Sequence, residues 1–156
     1  MNSFVVNSPA ATPAEAAIVS GAFWPDVDPV KVRAAQRIDT TITPERLYEA
    51  LTEAIASVNT ELTDWRIARI AEGHATLAAV PAETIDDVSI NVNRYLRAVG
   101  CFAKASLTER YRDFDTTAAG NKKADQLENP IDDLRRDARW AISGILGIGR
   151  NTVELI

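Results

Sequence analysis

Few side chains in this 156-residue chain are of types and spacings that could do chemistry. His74 is the sole histidine. It stands beside Gly73 at a predicted helix end, where an imidazole caps the last carbonyls, and no nucleophile or carboxylate partner is identifiable for a base. Cys101 is the sole cysteine. Set beside Phe102 in a predicted helix, it reads as a buried, inert thiol. It cannot form an internal disulfide, which fits a reducing cytosol. The carboxylates Asp125, Glu128, Asp132, Asp133 and Asp137 are the nearest approach to a divalent-metal set. Yet they alternate with Arg135, Arg136 and Arg139, and Asp132 has the helix ion-pair spacing to Arg135 and Arg136, worth roughly 0.2–0.5 kcal/mol a pair. That pattern is a salt-bridged surface or a subunit interface. Lys122 and Lys123 follow Gly120, but the glycine pattern and the Lys-Ser/Thr ending of a phosphate-binding loop are missing. Arg94, Tyr95 and Arg97, with Arg110, Tyr111 and Arg112, interleave cations and aromatics as a single-strand binder would. The alternative, preferred for an acidic chain, is inward aromatics with arginines lining a protein interface. No residue is assigned to catalysis, a cofactor or a metal, so the chain is not read as an enzyme.

The elements that hold these residues are helical by period. Asp28-Pro29 is a cap followed by a first-turn proline, and Val30, Ala34 and Ile38 form the stripe of a short helix ending near Asp39. Thr43-Pro44-Glu45 repeats the signal. Leu47, Leu51, Ile55, Val58, Leu62 and then Trp65 or Arg66 recur at steps of three and four, which predicts one long helix over 44–72. Pro81 excludes a continuous helix through 74–87, and Asp86 and Asp87 are candidate caps for a second long helix over 88–112. Its stripe is Val88, Val92, Tyr95, Val99, Phe102, Ser106 and Arg110. A connector with Thr116, Thr117 and Gly120 follows. Lys122–Leu127 has room for an extra turn before Asn129-Pro130 starts a third helix, near 130–146, with Ile131, Leu134, Ala138, Ile142 and Ile145 on one face. Gly144, Gly147 and Gly149 are expected to end it. The predicted fold is all-α: a small antiparallel helix bundle over 23–147, with an extended N-terminal arm over 1–22 and a C-terminal tail over 148–156. Phe23 and Trp24 look like an anchor that pins the arm to the core or to a neighbouring subunit.

Composition sets outer limits. Hydrophobic residues make up 46% and charged residues 25%, an ordinary globular balance for a single domain. Neither a signal peptide nor a run of apolar residues long enough for a membrane span is evident. The net charge of −5 is uneven: residues 1–88 carry −7 and residues 89–156 carry +2. An acidic protein is a poor non-specific DNA binder, because phosphate neutralisation dominates that affinity. The asymmetry is that of solvated helix faces, or one that orients subunits through edges of opposite charge, or an acidic surface that does not stick to passing DNA.

Several stretches carry mixed polar and apolar residues in a fixed order: PDVDP, VPAETIDD, NRYLRAV, ASLTERYR, D-x-TA-x-G-x-KKAD and ID-x-L-x-RD-x-RWAI. From Pro25 onward the chain resembles the head-completion proteins, or head–tail connector adaptors, of contractile-tailed temperate bacteriophages. The resemblance implies a small helix bundle and a structural virion protein at the head–tail junction, assembled in the host cytoplasm. It implies a twelve-fold homo-oligomeric ring beneath the portal protein, which extends the DNA channel, helps retain the packaged genome and presents a docking surface to a tail terminator or other neck protein. DNA would pass through without sequence-specific binding, and no membrane is involved. In that setting Lys122 and Lys123 are expected in a loop at the channel wall or the portal-facing edge. Arg135, Arg136 and Arg139 are expected at the subunit interface. The tail residues Ile148, Arg150, Val153, Leu155 and Ile156 are expected to reach the portal.

Two other classes compete. A small helical DNA-binding regulator of helix-turn-helix type has short helices available at Pro29 and Pro44, but no basic recognition helix. A small helical enzyme would need a convergent polar pocket, for which the chain offers no candidate.

Overall fold

The computed structural model describes residues 16–114 and 118–149, and between 111 and 129 the backbone alone. Three helices organise it. The central one, α4 (Ile90–Phe114), packs against α2 (Pro44–Glu61) on one side and α5 (Ala118–Leu146) on the other. Cross-contacts fix both pairs as antiparallel: Asn59 meets Tyr95 and Glu49 meets Arg110, while Gly144 meets Arg94 and Glu109 meets Arg135. A short helix, α1 (Pro29–Gln36), lies against α2 and α4. Two strands, β1 (Thr84–Ile85) and β2 (Val88–Ser89), form an antiparallel hairpin ahead of α4. The protein is therefore mostly helical, and the all-α expectation is amended by this small sheet.

The predicted stripe of α2 is the one it buries: Leu47, Leu51, Ile55, Val58 and, just past its end, Leu62. Against it α4 sets Tyr95, Ala98, Val99 and Ala103, and α5 contributes Ala141, Ile142 and Ile145. Thr43 caps α2, its hydroxyl accepting from the Arg46 amide, and Asp28 caps α1 through the amides of Val30 and Lys31.

Elsewhere the structure departs from the sequence reading. The expected single helix over 44–72 breaks at Leu62 (φ −97°, ψ 7°) into α2 and α3 (Thr63–Ala71). The hydroxyls of Thr60 and Thr63 donate to the carbonyls of Ala56 and Asn59, four residues back, a pattern that bends helices. Asp86 and Asp87 are not caps. Both have positive φ, 49° and 60°, and form the two-residue turn of the hairpin. Ser89 takes over the capping, its Oγ accepting from the Asn91 amide at 3.3 Å. Val88, expected on the α4 stripe, is an exposed strand residue.

In α1 the buried positions are Pro29 and Val32, with Ile38 beyond the helix, whereas Val30 is exposed. The last helix begins at Ala118, not at Pro130, and continues through that proline. Ala118, Ala119, Lys122, Lys123 and Ala124 are all strong helix formers, which favours the earlier start. Gly144 lies inside α5. Gly147 ends it at φ 72°, and the Ile148 amide returns to the Ser143 carbonyl at 2.9 Å. At the N-terminus, Ile18 forms a β-bridge with Val27 and is buried in the core, while Val19 beside it is exposed. Phe23 and Trp24 are buried in the core of their own chain.

Candidate functional site

Among the described residues, no group of three or more His, Cys, Asp or Glu side chains could hold a metal ion. His74 sits 3.8 Å from the Glu72 carboxylate, and its amide donates to the Arg69 carbonyl at the end of α3. Cys101 is buried, and burial pushes its thiol above the ordinary value. The aromatic–cation run of α4 separates as the helix turns. Tyr95 points into the core, Arg94 donates to the Gly144 carbonyl at 2.8 Å, and Arg97 bonds Asp137 at 2.9 Å. These arginines join two helices.

What stands out is a charged surface along α4 and α5. Arg135 reaches across to Glu109 at 2.7 Å. Arg136 bonds Asp133 at 2.6 Å and Asp137 at 3.3 Å, and its guanidinium lies over the Trp140 ring at 4.6 Å from the centroid. Burial resists ionisation of Asp137, but the hydrogen bonds from Arg97 and Arg136 outweigh it and hold the carboxyl below its usual range. Arg139 is exposed, has no ion-pair partner among the described residues, and lines a groove with Glu53, Glu61, Glu109 and Arg135. Of the three arginines expected at an interface, two are thus held by carboxylates of their own chain and one is presented outward. Exposed charge pairs of this kind add little stability, roughly 0–1 kcal/mol. A planar guanidinium on a half-exposed tryptophan, by contrast, is the sort of rigid group that anchors protein interfaces.

The other expected site residues divide differently. Lys122 and Lys123 lie on helical backbone near the start of α5, not in a loop. Ile148 is exposed, while Arg150, Val153, Leu155 and Ile156 fall outside the described residues. The sequence reading places α3 within one helix over 44–72 and so does not give it a face of its own. Trp65 and Arg69 border a pocket with Arg94 and Gly144, while Ile67 and Ile70 are 55% and 49% exposed and no residue of the helix is buried. Residues at steps of three on a helix share a face, so Ile67 and Ile70 lie together, turned away from that pocket. The spacing of Ile67 and Ile70 is visible in the sequence, but both fall off the stripe that continues from α2 to Trp65 or Arg66.

The described residues thus form a mostly helical unit whose notable features are charged and apolar surfaces. Residues 18–156 match the model of the family described as phage head completion protein (GPL). The chain belongs to that family of phage head completion proteins. It is 48% identical over 134 residues to the head completion/stabilization protein of Escherichia phage P2, an alignment that covers 86% of this chain and 79% of that protein. No solved structure matches the chain.

Proposed function

We propose that this protein is a neck adaptor. It assembles as a homo-oligomeric ring beneath the portal after packaging, extends the DNA channel, helps to retain the genome and presents a surface for the tail or another neck protein. The twelve-fold number comes from the family resemblance alone. The observation that carries the reading is the family match over residues 18–156, which takes in every described helix. The surfaces support it. The Arg136–Trp140 pair and the outward Arg139 are suited to subunit contact, and no helix of the described residues is long and apolar enough to cross a membrane. In this reading Lys122 and Lys123 lie at the channel or portal edge, and residues 148–156 reach the portal. The mechanism is assembly without bond chemistry.

Particles made without this protein test the reading. The expected result is packaged heads that lose DNA to added nuclease and carry no tails, with both defects restored by the full chain. Heads that keep their DNA and join tails without the protein would overturn it. A chain lacking Asn151–Ile156 is expected to fold and yet fail to join filled heads, and normal occupancy of that truncation would remove the tail from the proposal.

A further inference from the structure

The α3 helix sets its apolar face outward. Ile67 and Ile70 are about half exposed, next to small Ala71, on a helix that buries none of its residues in its own bundle. An apolar helix face of this kind has no reason to remain in water. We infer that this face is the docking site of the N-terminal segment of the same chain, with Phe4, Val5 and Val6 as the residues that cover it.

Three observations select that occupant. First, the chain enters the fold beside the junction of α2 and α3. The Ser20 hydroxyl accepts from the Asn59 amide group at 2.7 Å, and the Phe23 ring meets the Trp65 ring edge-on at 6.4 Å. Second, the reach is sufficient. Val6 lies ten steps along the chain before Ala16, a stretch that extends to about 33 Å. Asn59 to Ile70 is eleven residues along the chain, about 17 Å if helical throughout. Third, the chemistry suits the face. Residues 1–14 carry no charged side chain, so laying them on isoleucines desolvates no ion. Pro9 and Pro13 favour an extended tether and lower the entropy lost on docking. A short tether also gives the segment a millimolar effective concentration at its own α3, well above that of another molecule in dilute solution. The segment lies ahead of the residues that match the family, so the contact belongs to this chain and is independent of the neck reading.

Paramagnetic relaxation tests the inference on the full chain. Cys101 is buried, so a spin label on a Ser3→Cys variant reacts selectively at the N-terminus. In an isotope-labelled, spin-labelled protein the amides of Ile67–Ala71 should lose at least half their intensity. Val5→Asp/Val6→Asp should restore them while leaving the circular dichroism unchanged. Ile67→Ala/Ile70→Ala, a milder change at exposed positions, should restore them as well. An absence of broadening at α3 would overturn the inference. So would broadening in a mixture of isotope-labelled protein with unlabelled spin-labelled protein, which would assign the segment to a second copy.

Discussion

The indole of Trp24 lies flat on the phenol of Tyr95, ring centroids 4.9 Å apart and planes 9° from parallel. Phe23 meets the same indole edge-on at 4.9 Å, so the residues that lead into the first helix are fastened near the N-terminal end of α4. Tyr95 is fully buried, and its hydroxyl donates to the Asn59 side chain at 2.8 Å. Stack and hydrogen bond together join the N-terminal turn, α2 and α4.

The stack makes the protein sensitive to alkali. Burial pushes the Tyr95 phenol up to about 12, against the opposing pull of its hydrogen bonds with Ser20 and Asn59. The folded value lies above the unfolded one, so the neutral phenol favours the folded state fully below pH 10, and that contribution is lost as the pH rises toward about 12. Thermal melts between about pH 9 and 12 should show a steep fall in Tm. Tyr95→Phe should flatten that fall and lower neutral-pH stability by about 1 kcal/mol, the net worth of a hydrogen bond. An unchanged alkaline slope in the variant would remove Tyr95 as its source.

Gly144 is held open for Arg94. A Cβ on Gly144 would stand 2.9 Å from the Arg94 Nε, while the same guanidinium donates to the Gly144 carbonyl. In an exposed helix Gly→Ala stabilises by about 1 kcal/mol. Here Gly144→Ala should instead destabilise by about 1–2 kcal/mol, because a well-packed contact has to be displaced. In an Arg94→Ala background the sign should reverse. Denaturant melts of the four proteins in this cycle measure it. A stabilising Gly144→Ala in the wild-type background would show that Arg94 moves aside freely.

The helical period was legible where one stripe faces one core. Leu47, Leu51, Ile55, Val58 and Leu62 follow the step of three and four, and all are buried. The sequence was illegible where two physical causes share one residue type. Aspartate favours both a helix N-cap and a left-handed turn, so Asp86 and Asp87 fitted either role until the hairpin was seen. Threonine in a helix is compatible with a straight run or a bend, and the hydrogen bonds of Thr60 and Thr63 accompany the break at Leu62. Val30, Ala34 and Ile38 kept helical spacing, yet α1 is only eight residues long, and α2 and α4 pack on its Val32 side. For the candidate surface, the charges of Arg135, Arg136 and Arg139 were legible. The partner of Arg135 was not, because Glu109 is 26 residues away and only the packing of α4 on α5 brings them together, whereas Arg136 bonds its sequence neighbours Asp133 and Asp137.

Those arginines support a prediction about assembly. Changing Arg135, Arg136 and Arg139 together to Glu sets like charges against Glu109, Asp133 and Asp137 and removes the cation from Trp140. The positions are at least partly exposed, so the loss of fold stability should be modest, on the order of 1–2 kcal/mol. Helix content by circular dichroism should stay the same. Incorporation into particles, measured by quantitative blotting of purified virions, should fall at least tenfold. Incorporation at the parental level would mean that this surface faces solvent in the assembled head.

The hairpin supplies the last test. Asp86 and Asp87 occupy the two central positions of a turn that requires positive φ at both, with Ile85 opposite Val88 across it. A residue with a Cβ in that region costs roughly 1–2 kcal/mol, and glycine avoids the clash. Glycine also gains entropy in the unfolded chain, which offsets part of the benefit. Asp87→Gly should therefore raise stability by about 0.5 kcal/mol, or roughly 1–2 °C in Tm for a chain of this size. Ser89→Ala should act in the opposite direction. It removes the hydroxyl that accepts from the Asn91 amide, and loss of such a cap costs about 1 kcal/mol. Paired thermal melts decide between the two roles. A rise for Asp87→Gly and a fall for Ser89→Ala are expected if the aspartates form the turn and the serine caps α4. A fall for Asp87→Gly with no effect of Ser89→Ala would return the capping role to the aspartates.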